Sequence, residues 1–160
     1  MTIVTYQTAH KAAISALIIG IQRGEFNVPI TLEDQPDLAD IPNFYQIKNG
    51  NFWVALDDNE AVIVSIALID IGAQSGAIRK MFVHQDFRGR ELGIAQQLFE
   101  TLLASATAHG MYHLYLGTIE RLVAAQRFYA RNGFSPIEKT DLPPSFPLMP
   151  IDTLFFQWHV

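Results

Sequence analysis

The chain has 160 residues, of which 49% are hydrophobic and 17% are charged, with a net charge of −5 and no cysteine. This composition is typical of a single soluble domain over residues 1–160, and it excludes disulfides, thiolate metal sites and a cysteine nucleophile. The acidic balance disfavours non-specific nucleic-acid binding, and no apolar run approaches the roughly 20 residues that span a bilayer. Because the first residues also lack a signal-peptide pattern, we expect a cytoplasmic protein with no nucleic-acid or membrane partner.

The first half of the chain mixes strand and helix patterns. In chain order it predicts a strand at 3–6, a helix at 9–23 closed by Gly24, a broken helix with loops at 26–50, and a hairpin of strands at 52–56 and 61–69. Residues 57–60 are polar turn material between the two hairpin strands. The second hairpin strand is apolar on both faces, which favours a central position in a sheet.

The second half alternates strands and helices more regularly. It predicts a strand at 77–83, an amphipathic helix from about Ala95 that ends at Gly110, a strand at 112–118, a helix at 123–132 closed by Gly133, a proline-rich loop at 142–150 and a last strand at 153–159. This order of elements predicts a mixed α/β domain built on a central sheet.

The segment between the strand at 77–83 and the next helix carries the strongest functional signal. It reads Arg88-Gly89-Arg90-Glu91-Leu92-Gly93-Ile94-Ala95 and places two arginines and two glycines at a strand-to-helix turn. Such a turn directs free backbone N–H groups and the positive end of the helix dipole at whatever lies in front of it. The natural ligand is a phosphate or pyrophosphate, and the alternative is an ordinary helix start with exposed arginines.

Three segments together resemble the GNAT superfamily of acyl-CoA-dependent N-acetyltransferases. Arg88 and Gly93 match the first and last positions of the family's pyrophosphate loop, and Met81-Phe82-Val83 resembles its strand beside the pantetheine arm. Residues 125–134 resemble its segment with an alanine, a tyrosine four residues later and a Gly-Phe ending. The resemblance implies a mixed, mostly antiparallel twisted sheet flanked by helices, whose central strands splay apart to form an acyl-CoA cleft.

Two positions depart from the family pattern. Glu91 stands where the loop usually has its middle glycine, and its carboxylate would repel a pyrophosphate. We therefore expect this side chain to point away from the ligand, or the loop to bend differently. Leu122 stands where many members carry an asparagine before the last helix, so a polar contact from that position is absent. Neither change removes the backbone amides that would hold a pyrophosphate.

The resemblance implies acetyl-CoA as the acyl-donor substrate. Its pyrophosphate would meet the loop amides, its pantetheine would pair like an added strand beside Phe82 and Val83, and its thioester would lie near the end of the strand at 112–118. The histidines show no metal-ligand spacing with acids, so we expect no metal. The residues expected to bind acetyl-CoA are Met81, Phe82, Val83, Arg88, Gly89, Arg90, Glu91, Leu92, Gly93, Ile94, Ala95, Gly117 and Thr118.

The catalytic residues are expected to include Tyr129 and Glu120. Tyr129 matches the family tyrosine that in many members protonates the CoA sulfur; the alternative is that it packs within its helix face. Glu120 is the first candidate for the general base, with a solvated loop acid as the other interpretation. His84, His113 or a chain of waters are further candidates. The absence of cysteine favours direct attack in a ternary complex.

The resemblance implies that the acceptor site is built from residues 24–49 and 142–151. The first segment is acidic and would attract a cationic amine or a basic peptide end, unless its acids form a solvated surface. The second is stiff and apolar, and it walls the acceptor pocket, covers a core edge or forms a dimer interface. We expect transfer of acetyl to a primary amine of a small molecule or peptide, in a protein that could pair as a homodimer through its last strand. The alternatives are a non-catalytic acyl-CoA-binding regulatory module and a partner-binding protein that has lost the cofactor.

Overall fold

Seven strands and four helices make up the fold in this computed structural model, which describes residues 1–160. No helix is both long and apolar enough to cross a membrane. The strands are β1 Thr2–Thr5, β2 Asn51–Leu56, β3 Val62–Gly72, β4 Ser75–Val83, β5 His113–Thr118, β6 Ser135–Pro136 and β7 Leu154–His159. The helices are α1 Lys11–Ile19, α2 Ile41–Phe44, α3 Ile94–Ala108 and α4 Val123–Arg131.

The strands form one sheet in the order β1-β2-β3-β4-β5-β7-β6. Every neighbouring pair is antiparallel except β4 and β5, which run parallel. The sheet is therefore mixed and mostly antiparallel, which confirms the predicted fold class. The predicted hairpin is confirmed as β2 and β3, and Asp57 Oδ1 closes its turn by accepting the N–H groups of Asn59 and Ala61, both at 2.9 Å.

Helices cover both faces of the sheet. Alternate residues of β2 point to opposite faces, so Trp53 and Ala55 join the core under α3, while Phe52 and Val54 join the core under α1 and α2. β3 contributes buried residues to both cores, as its apolar pattern predicts. The apolar stripe of α3 is buried as expected, and each fully buried leucine on it contributes about 1.5–3 kcal/mol.

The glycine stops of the two later helices are confirmed, but the stop predicted for the first helix is wrong. Gly110 and Gly133 have φ of 75° and 89°, the left-handed conformation that ends a helix. Gly24 instead lies inside a π-helical turn, Gly20–Glu25, that continues α1. The chain turns at Asn27, whose φ is 53°, because asparagine tolerates this conformation.

A bulge in β4 shapes the centre of the sheet. Ala67 of β3 faces Arg79 and Ser65 faces Phe82, so β4 carries one extra residue between these pairs. The extra length is absorbed at Lys80, whose φ is 55°. The Ser65 hydroxyl donates a hydrogen bond of 2.7 Å to the Lys80 carbonyl and holds the bulge in place.

Beyond the bulge, β4 and β5 separate. Their parallel pairing ends at Ile78 and Leu116, although β4 continues to Val83 and β5 to Thr118. β4 stays paired with β3 as far as Val83, so the gap opens only on its β5 side. This confirms the predicted splaying of the two central strands.

We expect Ser65→Ala to lower the free energy of unfolding by about 1–3 kcal/mol, because it leaves the buried Lys80 carbonyl without its hydroxyl donor. The measurement is urea unfolding. Ser75→Ala is the matched control, since it removes a buried serine hydroxyl from the other end of β4, where the bond of 3.1 Å to the Ala73 carbonyl only supports a turn. A loss in Ser65→Ala no larger than that in Ser75→Ala would contradict the role given to this bond.

Candidate active site

Two adjoining cavities lie in the gap between β4 and β5. The larger cavity, of about 720 Å³, lies between β4 and the starts of α3 and α4. The smaller cavity, of about 100 Å³, lies between the ends of β4 and β5 and is walled by the proline-rich loop. The two meet at a shared set of lining residues: Ile21, Met81, Phe82, Leu122 and Ala125.

The larger cavity is strongly cationic in a protein whose net charge is −5. No acidic side chain lines it. Such a concentration of one charge attracts a polyanion. The five arginines that line it are Arg88, Arg90, Arg121, Arg127 and Arg131. Our sequence analysis had singled out only the first two of these for ligand binding. The spacing of Arg127 and Arg131, four residues apart on α4, is the signal that could have found two more.

Free backbone amides line the entrance to α3. From Arg88 to Gln96, only the N–H of Gly93 donates within the protein, to the Gly89 carbonyl at 3.4 Å. Gly89 has a φ of 116° and Gly93 a φ of 64°, so both use backbone conformations that suit glycine. A row of unpaired amides at the start of a 15-residue helix is a ready anion site.

Arg88 holds this loop in position. Its Nε donates to the Val83 carbonyl at 2.9 Å, and its guanidinium forms an ion pair with Glu25. The hydrogen bonds that Arg88 donates to the Glu25 carboxylate lower the pKa of Glu25 below its usual value. Arg88 therefore ties the loop to β4 and to the π-helical turn after α1, and its donors are largely used inside the protein.

The side chains of three loop residues do not line the larger cavity. Glu91 and Leu92 are exposed, and Ile94 is buried in the core. The Glu91 carboxylate lies beside Gly89, where an added Cβ would be 3.0 Å from its Oε2.

Leu122 begins α4 without a side-chain cap. The polar contacts at this turn come from Gln126, whose Nε2 donates to the carbonyls of Ile119 at 3.2 Å and Glu120 at 3.1 Å. Gln126, which lies in the first turns of α4, thus supplies the side-chain hydrogen bonds at the start of the helix. The Leu122 side chain is left to line both cavities.

Asp152 is the acid that our sequence analysis missed. It lines the smaller cavity and follows the proline-rich loop, where the Thr153 N–H donates to the Thr118 carbonyl at 3.0 Å. The missing side chain at Gly117 makes room for it, since a Cβ there would lie 2.5 Å from Asp152 Oδ2. Burial raises the pKa of Asp152 to about 6, with Arg79 and Lys80 acting in the opposite direction. The carboxylate is mostly ionised at neutral pH and suited to accept a proton.

Tyr129 lines the same cavity. Its ring packs against Phe128, Phe134 and Phe156, so it is also a core residue. Burial, and to a smaller extent the Asp152 carboxylate, raise the pKa of Tyr129 well above its usual value. The phenol therefore keeps its proton throughout the physiological range.

The other candidates for the general base lie outside both cavities. Glu120 is exposed on the turn before α4. The Nδ1 of His84 accepts the N–H of Asp86 at 3.1 Å in the turn after β4. His113 lies on a sheet face as expected, with its Nδ1 2.6 Å from the Nδ1 of His159 on β7.

The acidic segment at 24–49 is exposed to solvent at Glu33, Asp34 and Asp40, as the solvated-surface alternative expects. Four of its five acids are engaged with other residues: Glu25 with Arg88, Asp34 with Thr31, Asp37 with Tyr45 and Lys80, and Asp40 with Asn43. The proline-rich loop lies against the smaller cavity and against a core edge. Phe146, Pro147 and Met149 wall the smaller cavity, and Phe146 also packs on a core edge with Phe155.

Comparison with known proteins agrees with this geometry. Residues 48–136 match the family model described as the acetyltransferase (GNAT) domain. The structure of an acetyltransferase of the GNAT family from Staphylococcus aureus Mu50 is 34% identical, covers 99% of this chain and 98% of its own, and superposes with a TM-score of 0.95. An acetyltransferase from Streptococcus agalactiae 2603 is 29% identical, with coverages of 99% and 98% and a TM-score of 0.93.

Curated relatives include the N-acetylaspartate synthetase of Homo sapiens, which is 33% identical over 124 residues. That match covers 76% of this chain and 40% of the human protein, so the chain spans less than half the length of this relative. The fold, the cleft and these similarities define an acetyl-transferring enzyme. The chain belongs to the GNAT acetyltransferase family, whose members use acetyl-CoA as a substrate.

Proposed function

We propose that residues 1–160 form an N-acetyltransferase that moves the acetyl group of acetyl-CoA to a primary amine by direct attack in a ternary complex. The observation that carries this proposal is the junction of the two cavities. The larger cavity is lined by five arginines, of which Arg90 and Arg127 have side chains without partners in the protein, and by a row of free amides; it shares lining residues with a smaller cavity that holds a carboxylate and a phenol. A long polyanion with a reactive end matches this arrangement.

The pyrophosphate of acetyl-CoA would bind the amides at the start of α3, with Arg90 and Arg127 beside it. Beyond Ile78, β4 has no strand partner on its β5 side, so the pantetheine amides can pair with the edge at Met81–Val83. The thioester would then lie near Gly117 and Thr118, which line the smaller cavity at the end of β5. The volume of about 720 Å³ and the absence of acids in the larger cavity suit such a ligand.

The chemistry needs two proton movements. An alkylammonium ion with a pKa of about 10.4 must first lose a proton, which we assign to the Asp152 carboxylate. The amine nitrogen then attacks the thioester carbon, so that a C–N bond forms and the C–S bond breaks. The departing sulfur takes a proton from the Tyr129 hydroxyl, and the second proton of the nitrogen restores the phenol. The products are the N-acetyl amide, CoA and one released proton.

Asp152 takes the role that the sequence suggested for Glu120, because Glu120 is exposed and lines neither cavity. A carboxylate in the smaller cavity also argues against the alternative of a non-catalytic acyl-CoA-binding module. A small amine as the acceptor is supported by the small volume of the second cavity and by relatives named for N-acetylaspartate.

We expect acetyl-CoA to raise the melting temperature and to bind in calorimetry, and Arg90→Gln/Arg127→Gln to weaken its affinity about tenfold or more. Both arginines line the larger cavity and their side chains form no hydrogen bond or ion pair within the protein, so the variant should fold normally. Arg23→Gln/Lys48→Gln is the matched control, because it makes the same change in net charge outside both cavities. Equal affinities of the two double variants, or no binding by the wild type, would contradict the proposed donor site.

Tyr129→Phe should lower kcat by about 10²-fold or more while leaving the Kd of acetyl-CoA unchanged, because it removes the proton for sulfur and keeps the packed ring. Single-turnover kinetics with an accepted amine, together with calorimetry, separate the two quantities. Tyr115→Phe removes a phenol that lies outside both cavities and serves as the control. Full activity of Tyr129→Phe across the pH range would exclude the proposed acid.

The pH profile of kcat/KM should fall on the acid side with an apparent pKa near 6. The value of kcat/KM falls toward low pH because the base acts only when it is ionised. Below about pH 6 the Asp152 carboxylate is protonated and cannot accept the ammonium proton. Asp152→Asn should lower the maximal kcat/KM about 10²-fold or more and remove the fall at acid pH. Glu120→Gln should keep both the maximal kcat/KM and the fall at acid pH. Loss of the fall at acid pH in Glu120→Gln, with Asp152→Asn unaffected, would return the role to Glu120.

A further inference from the structure

The smaller cavity contains two neighbouring cations. Consecutive residues of a regular strand point to opposite faces, yet Arg79 and Lys80 both line this cavity. The bulge explains this, because the φ of 55° at Lys80 interrupts the alternation of β4. Two cationic residues thus belong to the wall of the cavity that we propose for the acceptor.

Lys80 is already matched by groups of the protein. Its Nζ donates to Gln35 Oε1 at 2.5 Å and lies 3.5 Å from Asp37 Oδ2. Asp37 in turn accepts a hydrogen bond from the Tyr45 hydroxyl. The Lys80 side chain is only 5% exposed, so its charge is balanced inside the wall of the cavity.

Arg79 has no such partner. It forms no ion pair, and its one side-chain hydrogen bond goes to Met149 Sδ, a weak acceptor. A guanidinium carries five N–H donors in a planar fork that matches the two oxygens of a carboxylate. Since most of the cavity lining is apolar, an anion bound there would be held strongly.

We propose that the acceptor is an amino acid bound as its zwitterion, with its carboxylate on Arg79 and its ammonium group toward Asp152. This rests on the proposed acetyl transfer and names the substrate class of the same site. Asp152 is the only acid that lines the smaller cavity, and Arg79 is its only cation without an acidic partner. Neither residue forms an ion pair, although Arg79 acts on the Asp152 carboxylate at longer range. The cavity therefore offers one charge of each sign outside any ion pair, which is the charge pattern of a zwitterionic amino acid. A polyamine or a lysine-rich peptide would instead place extra positive charge beside Arg79 and Lys80.

The test compares matched acceptors at saturating acetyl-CoA. A panel of amino acids is assayed for CoA release, each next to its amide, which keeps the amine and removes the carboxylate charge. We expect kcat/KM for the best amino acid to exceed that for its amide at least tenfold. At about pH 8.5, where the Asp152 carboxylate should stay ionised without the Arg79 charge, Arg79→Gln should raise KM for that amino acid at least tenfold and change the amide little, with the Kd of acetyl-CoA unchanged. Arg79→Lys should recover part of the loss, and Arg23→Gln is the control for lost charge.

Amino-acid binding is also measured by calorimetry in the presence of CoA, so that the result does not depend on turnover. Amides that react as well as their amino acids, or an equal effect of Arg79→Gln on both, would overturn the inference and leave the proposed function intact. Binding of amino acids that depends on Arg79, without CoA release from any acceptor, would support the inference and overturn the proposed function. The comparison of wild-type acceptors needs no variant, so it decides the matter even if Arg79→Gln folds poorly.

Discussion

The bulge in β4, held by the hydrogen bond from the Ser65 hydroxyl to the Lys80 carbonyl, is the constraint on which the site depends. β4 keeps its pairing with β3 on one side and loses β5 on the other beyond Ile78. A gap then opens inside a continuous sheet without exposing an outer edge, and the unpaired edge of β4 becomes available to a ligand. The same bulge turns Arg79 and Lys80 toward the gap, so one backbone irregularity supplies both the space and its charge.

Acidic and basic side chains are distributed unequally between the two cavities of the gap. Two acids on the segment after α1 are paired with cations near the gap: Glu25 holds the loop through Arg88, and Asp37 balances Lys80. The larger cavity is left with arginines and free amides and no acid. The smaller cavity keeps one ionisable carboxylate, whose pKa burial raises to about 6. Under the proposed function, the donor and acceptor ends of the reaction would thus receive different electrostatic environments within one cleft.

Features encoded by neighbouring residues could be read from the sequence, and features that depend on distant pairing could not. The loop at 88–95, the glycine ends of α3 and α4, and the place of Tyr129 on α4 follow from local spacing. Asp152 could not be found this way, because it reaches the site only through the antiparallel pairing of β7 with β5. Arg79 could not be assigned a role from sequence either, because its place in the cavity wall depends on the pairing of β4 with β3 and on the bulge. The helix end predicted at Gly24 is wrong because the chain after α1 continues as a π-helical turn.

The most direct test of the central claim is a crystal structure of the protein with acetyl-CoA. We expect the pyrophosphate on the amides before α3, the pantetheine along Met81–Val83, and the thioester in the gap between β4 and β5, within hydrogen-bonding distance of the Tyr129 hydroxyl. The bulge at Lys80 should be unchanged by binding. Acetyl-CoA bound elsewhere on the molecule, or a thioester on the far side of β4 from Tyr129 and Asp152, would contradict the proposed arrangement.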